Sequence, residues 1–367
     1  MTSDDRTLDP TELEPLWRPI RAGELELPHR LAMAPMTRSR AYDDGTPNRM
    51  AAEYYTQRAS MALIITEGTQ PSEDGQGYLL TPGIHSASHI EGWRSVTDAV
   101  HEAGGRIVIQ LMHVGRVSHP QNTPHGRQAL APSAIAPATP MFTASGMQEI
   151  PAPRELSVDE VRGIVEEFRL AARAAIAAGA DGVEIHSANG YLLQQFLSSN
   201  ANQRSDEYGG SIANRIRLSV EVAAAVAEEI GAGRTGIRIS PGSSLGDIVE
   251  NDVHELYGAL VSALAPLDLA YLHIAAGDDM LLRKLRNLWP NTLLLNRGGS
   301  SIQARVHDIE SGLADVVTVG SRVLANPDLV ARLKSGAPLN EADRTTFYGG
   351  DEHGYLDYPT LELAPIE

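Results

Sequence analysis

Residues 183–199 read VEIHSANGYLLQQFLSS. The first residues are an apolar run of the kind that forms a strand buried on both faces. The last eight carry apolar residues at helical spacing. Between them stand His186, Asn189 and Tyr191, three polar side chains within six residues. A strand that ends in polar groups and passes at once into a helix is half of a βα unit. In such folds the C-terminal end of the strand is where chemistry is built.

The same pattern recurs along the chain. Apolar runs at 31–35, 61–68, 106–113, 182–188, 235–242, 269–276, 292–299 and 315–321 each end in polar or small residues. Helical patterns lie between most of them. The clearest begins at Ser157, with Glu160 three residues on as a capping box and Gly179 as a stop. Residues 215–230, 255–264 and 300–311 read as further crossover helices. Eight strands alternating with helices predict an α/β chain folded as a (β/α)8 TIM barrel, with residues 1–367 forming one domain. A doubly wound sheet is the alternative, but no G-x-G-x-x-G follows the first strand. Two segments are additions to the barrel. Residues 16–29 suit a hairpin beneath it, and residues 114–155, after strand 3, suit a long lid-like loop.

Composition narrows the function. The chain has 367 residues, no cysteine and a formal net charge of −17. Thiolate metal sites and disulfides are excluded. A strongly acidic chain repels phosphate backbones, so no nucleic-acid partner is expected. The N-terminal MTSDDRTLDPTELEP lacks the charge and apolar core of a signal peptide, and no run of about 18 apolar residues occurs. A cytoplasmic location without membrane contact is expected.

The strand ends carry Pro35, Met36 and Thr37 after strand 1, Gln110 on strand 3, His186 on strand 4, Arg238 on strand 5, Gly298 and Gly299 after strand 7, and Gly320 and Ser321 after strand 8. Singly, each has a structural reading: a core histidine, a structural ion pair, a turn glycine. Jointly they suit a polar pocket beside a phosphate-bearing cofactor, because glycines after strands 7 and 8 let backbone N–H groups approach a phosphate. A hydrolytic metal site built from His113, Glu184, His186 and His273 is the rival. Strand 1 offers no His or Asp, and neither H-x-H nor H-E-x-x-H occurs, so no metal is expected.

Five motifs carry a family likeness: LAMAPMTRSRA, YYTQRASMALIITEG, IQLMHVGRVSHP, GADGVEIHSANGYLLQQFLSSNANQRSDEYGGSIANRIR and the tail YGGDEHGYLDYP. Over roughly residues 16–360 the chain resembles the old yellow enzymes, FMN-dependent ene-reductases. The resemblance implies noncovalent FMN, with NADPH or NADH as electron donor and an activated alkene (an enone, a nitroalkene or a related electrophile) as small-molecule substrate. It places Pro35, Met36, Thr37 and Gly68 along the flavin, Gln110 at its pyrimidine edge and Arg238 beside N1. Gly298, Gly299, Gly320 and Ser321 match the phosphate cradle. His186 and Asn189 match the pair that binds the substrate oxygen, and Tyr191 the proton donor. Met112, Tyr78 and Tyr355 match pocket positions. The family also admits a homodimer, a point on which this sequence is silent. The chain departs from the common pattern at Met112, where many relatives have tryptophan, and at Ser321, where many have arginine with the cation here shifted to Arg322. The lack of cysteine excludes relatives that carry an iron–sulfur cluster or a cysteine near the flavin.

Overall fold

A computed structural model describes residues 9–275 and 277–361. The ends of the expected 1–367 domain, and residue 276 at the end of the sixth expected strand, lie outside the described residues.

All eight expected strands form and close into one parallel barrel. They are β1 (Leu31–Met33), β2 (Ile64–Ile65), β3 (Ile107–Leu111), β4 (Gly182–Ser187), β5 (Thr235–Ile239), β6 (Tyr271–Ala275), β7 (Thr292–Asn296) and β8 (Val316–Val319). Closure comes from β8 pairing with β1, Val317 opposite Leu31 and Val319 opposite Met33. The strands are shorter than the apolar runs that announced them. The remaining residues of each run leave the ladder and become the polar rim.

Helices cover the outside: α1 (Arg49–Thr56), α2 (Ala87–Glu102), α3 (Val158–Ala177), α4 (Leu192–Leu197), α5 (Ile212–Ile230), α6 (Val253–Leu264), α7 (Asp279–Leu288), α8 (Ile302–Glu310), α9 (Ser321–Ala325) and α10 (Leu329–Ser335). Helix α3 starts as its sequence requires. The Ser157 hydroxyl accepts from the Glu160 N–H, and the Glu160 carboxylate accepts from the Ser157 N–H. Its buried face, from Val161 to Ala175, packs on the barrel wall.

The expected hairpin is present as Ile20–Ala22 and Leu25–Leu27. It closes the N-terminal end of the barrel. Ala22, Leu25 and Leu27 share an apolar cluster with Ile65, Val108, Leu294 and Val316, and the Glu24 N–H donates to Gly233 O at 2.8 Å.

Residues 114–155 are more structured than the expected loop. They hold an antiparallel hairpin, Pro140–Thr143 with Gly146–Glu149, and a parallel pair, Leu130–Ala131 with Arg154–Glu155. Buried arginines tie the segment to the barrel. Arg116 donates to Gly246 O and Asp247 O at 3.0 and 2.8 Å, and Arg204 donates to Pro132 O at 2.9 Å. The physical reason the sequence did not disclose this is that the anchors are guanidinium-to-carbonyl bonds across 72 to 131 residues, which leave no local pattern.

Candidate active site

The barrel register brings the polar strand-end residues level with one another. Gln110 lies opposite Glu184, His186 opposite Arg238, and Arg238 opposite His273. Four strands therefore deliver five polar side chains to the barrel interior.

The turn after β4 aims the next three groups. Asn189 and Gly190 both take left-handed backbone conformations, φ 57° and 84°. Asparagine is one of the few side-chain-bearing residues that tolerates this region. At Gly190 a Cβ would meet Leu245 O at 2.2 Å, so only glycine fits. The turn is held by Ser240, whose hydroxyl accepts from the Asn189 N–H at 2.7 Å, and by Gln194, whose side-chain carbonyl accepts from the Gly190 N–H at 2.8 Å. Tyr191 then sits at the N-cap of α4, with its ring beside His186 at 5.1 Å between centroids and 62° between planes. Its hydroxyl lies 3.1 Å from that of Tyr78. Both phenols pack against an apolar patch that includes Met112, Val114, and Met141 and Ile150 of the long segment. The segment thus supplies one wall of this polar corner.

Electrostatics sort these groups by role. Burial, aided by the Arg238 cation, pushes the His186 imidazole well below its ordinary value, so it is neutral at pH 7 and can donate one N–H without carrying charge. Burial, aided by Tyr78 and Tyr348, pushes the Tyr191 phenol well above its ordinary range, so it keeps its proton. Arg238 is buried, and the Glu184 carboxylate nearby offsets part of that burial.

Beside this corner lies a cavity of about 940 Å³. Seven of the expected cofactor residues line it: Pro35, Met36, Arg238, Gly298, Gly299, Gly320 and Ser321. Arg305, Arg322 and Arg344 add positive charge, so both the departing Ser321 and the shifted Arg322 face the same space. A Cβ at Gly298 or Gly299 would meet nothing within 4 Å; the backbone there is open to an approaching group. The buried Arg238 Nε and His186 Nδ1 have no hydrogen-bond partner among the described residues. A cationic cavity of this size, a bare glycine cradle and two unanswered polar atoms fit a phosphate-bearing flavin.

The other expected residues are placed as follows. Gln110 is buried on β3, and its amide donates to Glu184 Oε1 at 2.7 Å. Thr37 is half-buried in the turn after Pro35 and Met36, where the next N–H, of Arg38, donates to Glu67 at 3.0 Å. Gly68 is buried against Met112, and a Cβ there would meet the Met112 sulfur at 2.4 Å. Tyr355 does not belong to the cavity wall. It is 1% exposed and stacks on Tyr54 at 4.2 Å and 8° between planes. The wall residues from the tail are Phe347 and Tyr348. Arg38 and Arg40 decide this by donating to the carbonyls of Phe347, Gly354 and Asp351 at 3.0, 2.8 and 3.0 Å. They turn Tyr355 inward and leave Tyr348 outward. Phe347 and Tyr348 were missed from sequence, because only the fold shows which tail aromatics face the cavity.

The rival metal set does not assemble as ligands. Glu184 and His273 hydrogen-bond each other at 2.8 Å. No group of three His, Cys, Asp or Glu with metal-site geometry occurs among the described residues. No helix among them is long and apolar enough to cross a membrane.

Comparison with known proteins agrees with this geometry. Residues 15–340 match the NADH:flavin oxidoreductase / NADH oxidase family. The chain is 41% identical to a probable flavin mononucleotide-dependent alkene reductase of Leishmania infantum, over 95% of this chain and 98% of the relative. It is 44% identical to a putative 12-oxophytodienoate reductase 5 of Oryza sativa subsp. japonica, over 95% and 96%. Among solved structures, morphinone reductase in complex with tetrahydroNAD superposes with a TM-score of 0.90 at 42% identity, covering 95% of this chain and 98% of that one. The old yellow enzyme homologue from Zymomonas mobilis superposes at 0.91 and 38% identity, covering 94% and 99%.

Proposed function

Since this chain belongs to the old yellow enzymes, the FMN-dependent NADH:flavin oxidoreductase / NADH oxidase family, we propose that it is an NAD(P)H-dependent ene-reductase in which His186, Asn189 and Tyr191 act on an activated alkene. The observation that carries the reading is the Asn189-Gly190 turn. It follows directly on His186, which lies opposite Arg238 in the barrel, and it brings the Tyr191 ring against the His186 ring.

When bound, FMN would supply the redox chemistry, hydride transfer from NAD(P)H to the β-carbon of an electron-poor alkene. The residues do the rest. Gly298, Gly299, Gly320 and the neighbouring arginines hold the phosphate. Pro35, Met36 and Thr37 would form the strand-end wall, and Gln110 and Arg238 would hold the pyrimidine edge. His186 and Asn189 donate hydrogen bonds to the carbonyl or nitro oxygen of the substrate, where negative charge grows. A preorganised donor of this kind is worth about 3 kcal/mol of barrier. Tyr191 gives its proton to the α-carbon, a positioned transfer worth about 10²–10⁴-fold. Met112, Tyr78 and the outward Tyr348 shape the substrate pocket. Relatives named alkene reductase and 12-oxophytodienoate reductase support the substrate class.

The test is anaerobic turnover of the yellow protein. NADPH and NADH are each tried as donor, with cyclohexenone, maleimide, a nitroalkene and a nitrate ester as acceptors. Saturated product from the enone is expected. A colourless protein that takes up no FMN, or FMN-loaded protein that reduces none of the acceptors, refutes the reading. The latter result would leave a noncatalytic flavin binder.

A further inference from the structure

Among the buried groups that the mechanism above leaves unused, Glu184 reaches furthest into the site. Glu184 lies on β4 in the barrel interior and is 0% exposed. One carboxylate oxygen accepts from the Gln110 amide at 2.7 Å, and the other meets His273 Nδ1 at 2.8 Å. The remote ring nitrogen of His273, also 0% exposed, lies 3.0 Å from Thr318 Oγ1, which accepts from Asn296 Nδ2 at 2.8 Å. Asn296 lines the cavity. The chain of bonds therefore runs from Gln110 through the barrel core and returns to the cavity wall at Asn296.

Donor and acceptor counting fixes its direction. An ionised carboxylate only accepts. Gln110 must then turn its NH2 to Glu184, which leaves its carbonyl oxygen and second N–H for the cavity side. That is the acceptor–donor pair a flavin pyrimidine edge needs. His273 Nδ1–H donates to Glu184, so Nε2 accepts from the Thr318 hydroxyl, and the imidazole is neutral. Burial opposes ionisation of Glu184, but the His273 contact, the Arg238 cation and the Gln110 bond outweigh it and hold the carboxyl below its ordinary range. The Glu184 carboxylate is hydrogen-bonded to Gln110 and to the neutral His273, and its charge and that of the buried Arg238, coupled through the field across the barrel interior, nearly cancel.

We propose that Glu184 is the counter-charge of the flavin site: its carboxylate locks the Gln110 amide in the flavin-binding orientation and offsets Arg238, and so holds the reduction potential of bound FMN below the value Arg238 alone would set. Glu184 is a positioning residue, acting through Gln110 and through the field on Arg238. The proposal rests on FMN occupying the cavity with Gln110 and Arg238 at its pyrimidine edge.

The test compares FMN affinity and midpoint potential in wild type, Glu184→Gln and Glu184→Asp, neither measurement depending on turnover. Glu184→Gln removes the charge and keeps the shape. Anionic reduced flavin is then held more tightly relative to oxidised flavin by at least tenfold, a rise of about 30 mV for a two-electron couple. Glu184→Asp keeps the charge and shortens the reach. It is expected to weaken oxidised FMN at least tenfold while moving the ratio less than twofold. A FMN-loaded Glu184→Gln protein whose ratio moves less than twofold, or moves the other way, overturns the proposal. Should Glu184→Gln not fold, Glu184→Asp decides: a tenfold change in ratio with the charge intact, or unchanged FMN affinity, overturns it. Wild-type protein that binds no FMN refutes instead the flavin-site reading on which the proposal stands.

Discussion

Replacing Tyr191 by phenylalanine separates the proposed proton donor from everything else the residue does. The hydroxyl has one partner among the described residues, Tyr78 at 3.1 Å. The ring carries the remaining contacts, edge-on to His186 and against the Met112 patch. Phenylalanine keeps those contacts, so the stability cost is that of one half-exposed hydrogen bond, about 0.5–1.5 kcal/mol. Positioned proton transfer contributes about 10²–10⁴-fold. The lower end is expected here, because the Tyr78 hydroxyl stays beside the vacated position and can hold a water there. Enone reduction should therefore fall about 10²-fold at saturating substrate. Flavin reduction by NAD(P)H needs no carbon protonation and should change less than twofold. Anaerobic stopped-flow absorbance reads the two half-reactions separately. An equal loss in both would make Tyr191 a structural residue, and no loss in enone reduction would make the proton come from elsewhere.

Two further outcomes follow from other parts of the molecule. His113 is 0% exposed, and burial holds its imidazole down to about 4 against an ordinary 6.5. The unfolded chain therefore takes up a proton below pH 6.5 that the folded chain refuses until about pH 4, so this histidine costs stability as pH falls through that window. Between pH 7 and pH 5 its share is roughly 2 kcal/mol. Urea titrations should show His113→Gln losing about that much less than wild type over the same interval, and equal losses would sink the argument. At the tail, Tyr355→Phe should leave the KM for enones within twofold because Tyr355 faces Tyr54, whereas Tyr348→Ala should raise it several-fold. The reverse pattern would return Tyr355 to the pocket.

The barrel was legible because its signals are local. Each apolar run with a helical pattern after it declares a βα unit within about thirty residues, and eight such units close only one way. The position of the candidate site was legible for the same reason, since every strand marks its own C-terminal end. The long segment misled because its anchors, Arg116 and Arg204, bind carbonyls far away in sequence. Glu184 and His273 show the same limit in another way. Their residue types suit a metal, which the missing ligand spacing argued against, but the partners they do choose, Gln110 and Thr318, are set by barrel register and not by spacing.

By itself, then, the sequence determined the eightfold alternation, the rim that carries chemistry and the residue types on it, because strand and helix periods and turn preferences are properties of neighbouring residues. Only the tertiary structure decided which tail tyrosine faces the cavity, that Ser321 and Arg322 open onto one space, and that a carboxylate 89 residues from its histidine partner also accepts from Gln110. Those choices depend on through-space distances in a desolvated interior, where a few ångströms settle whether a charge is paired, and no local pattern encodes that distance.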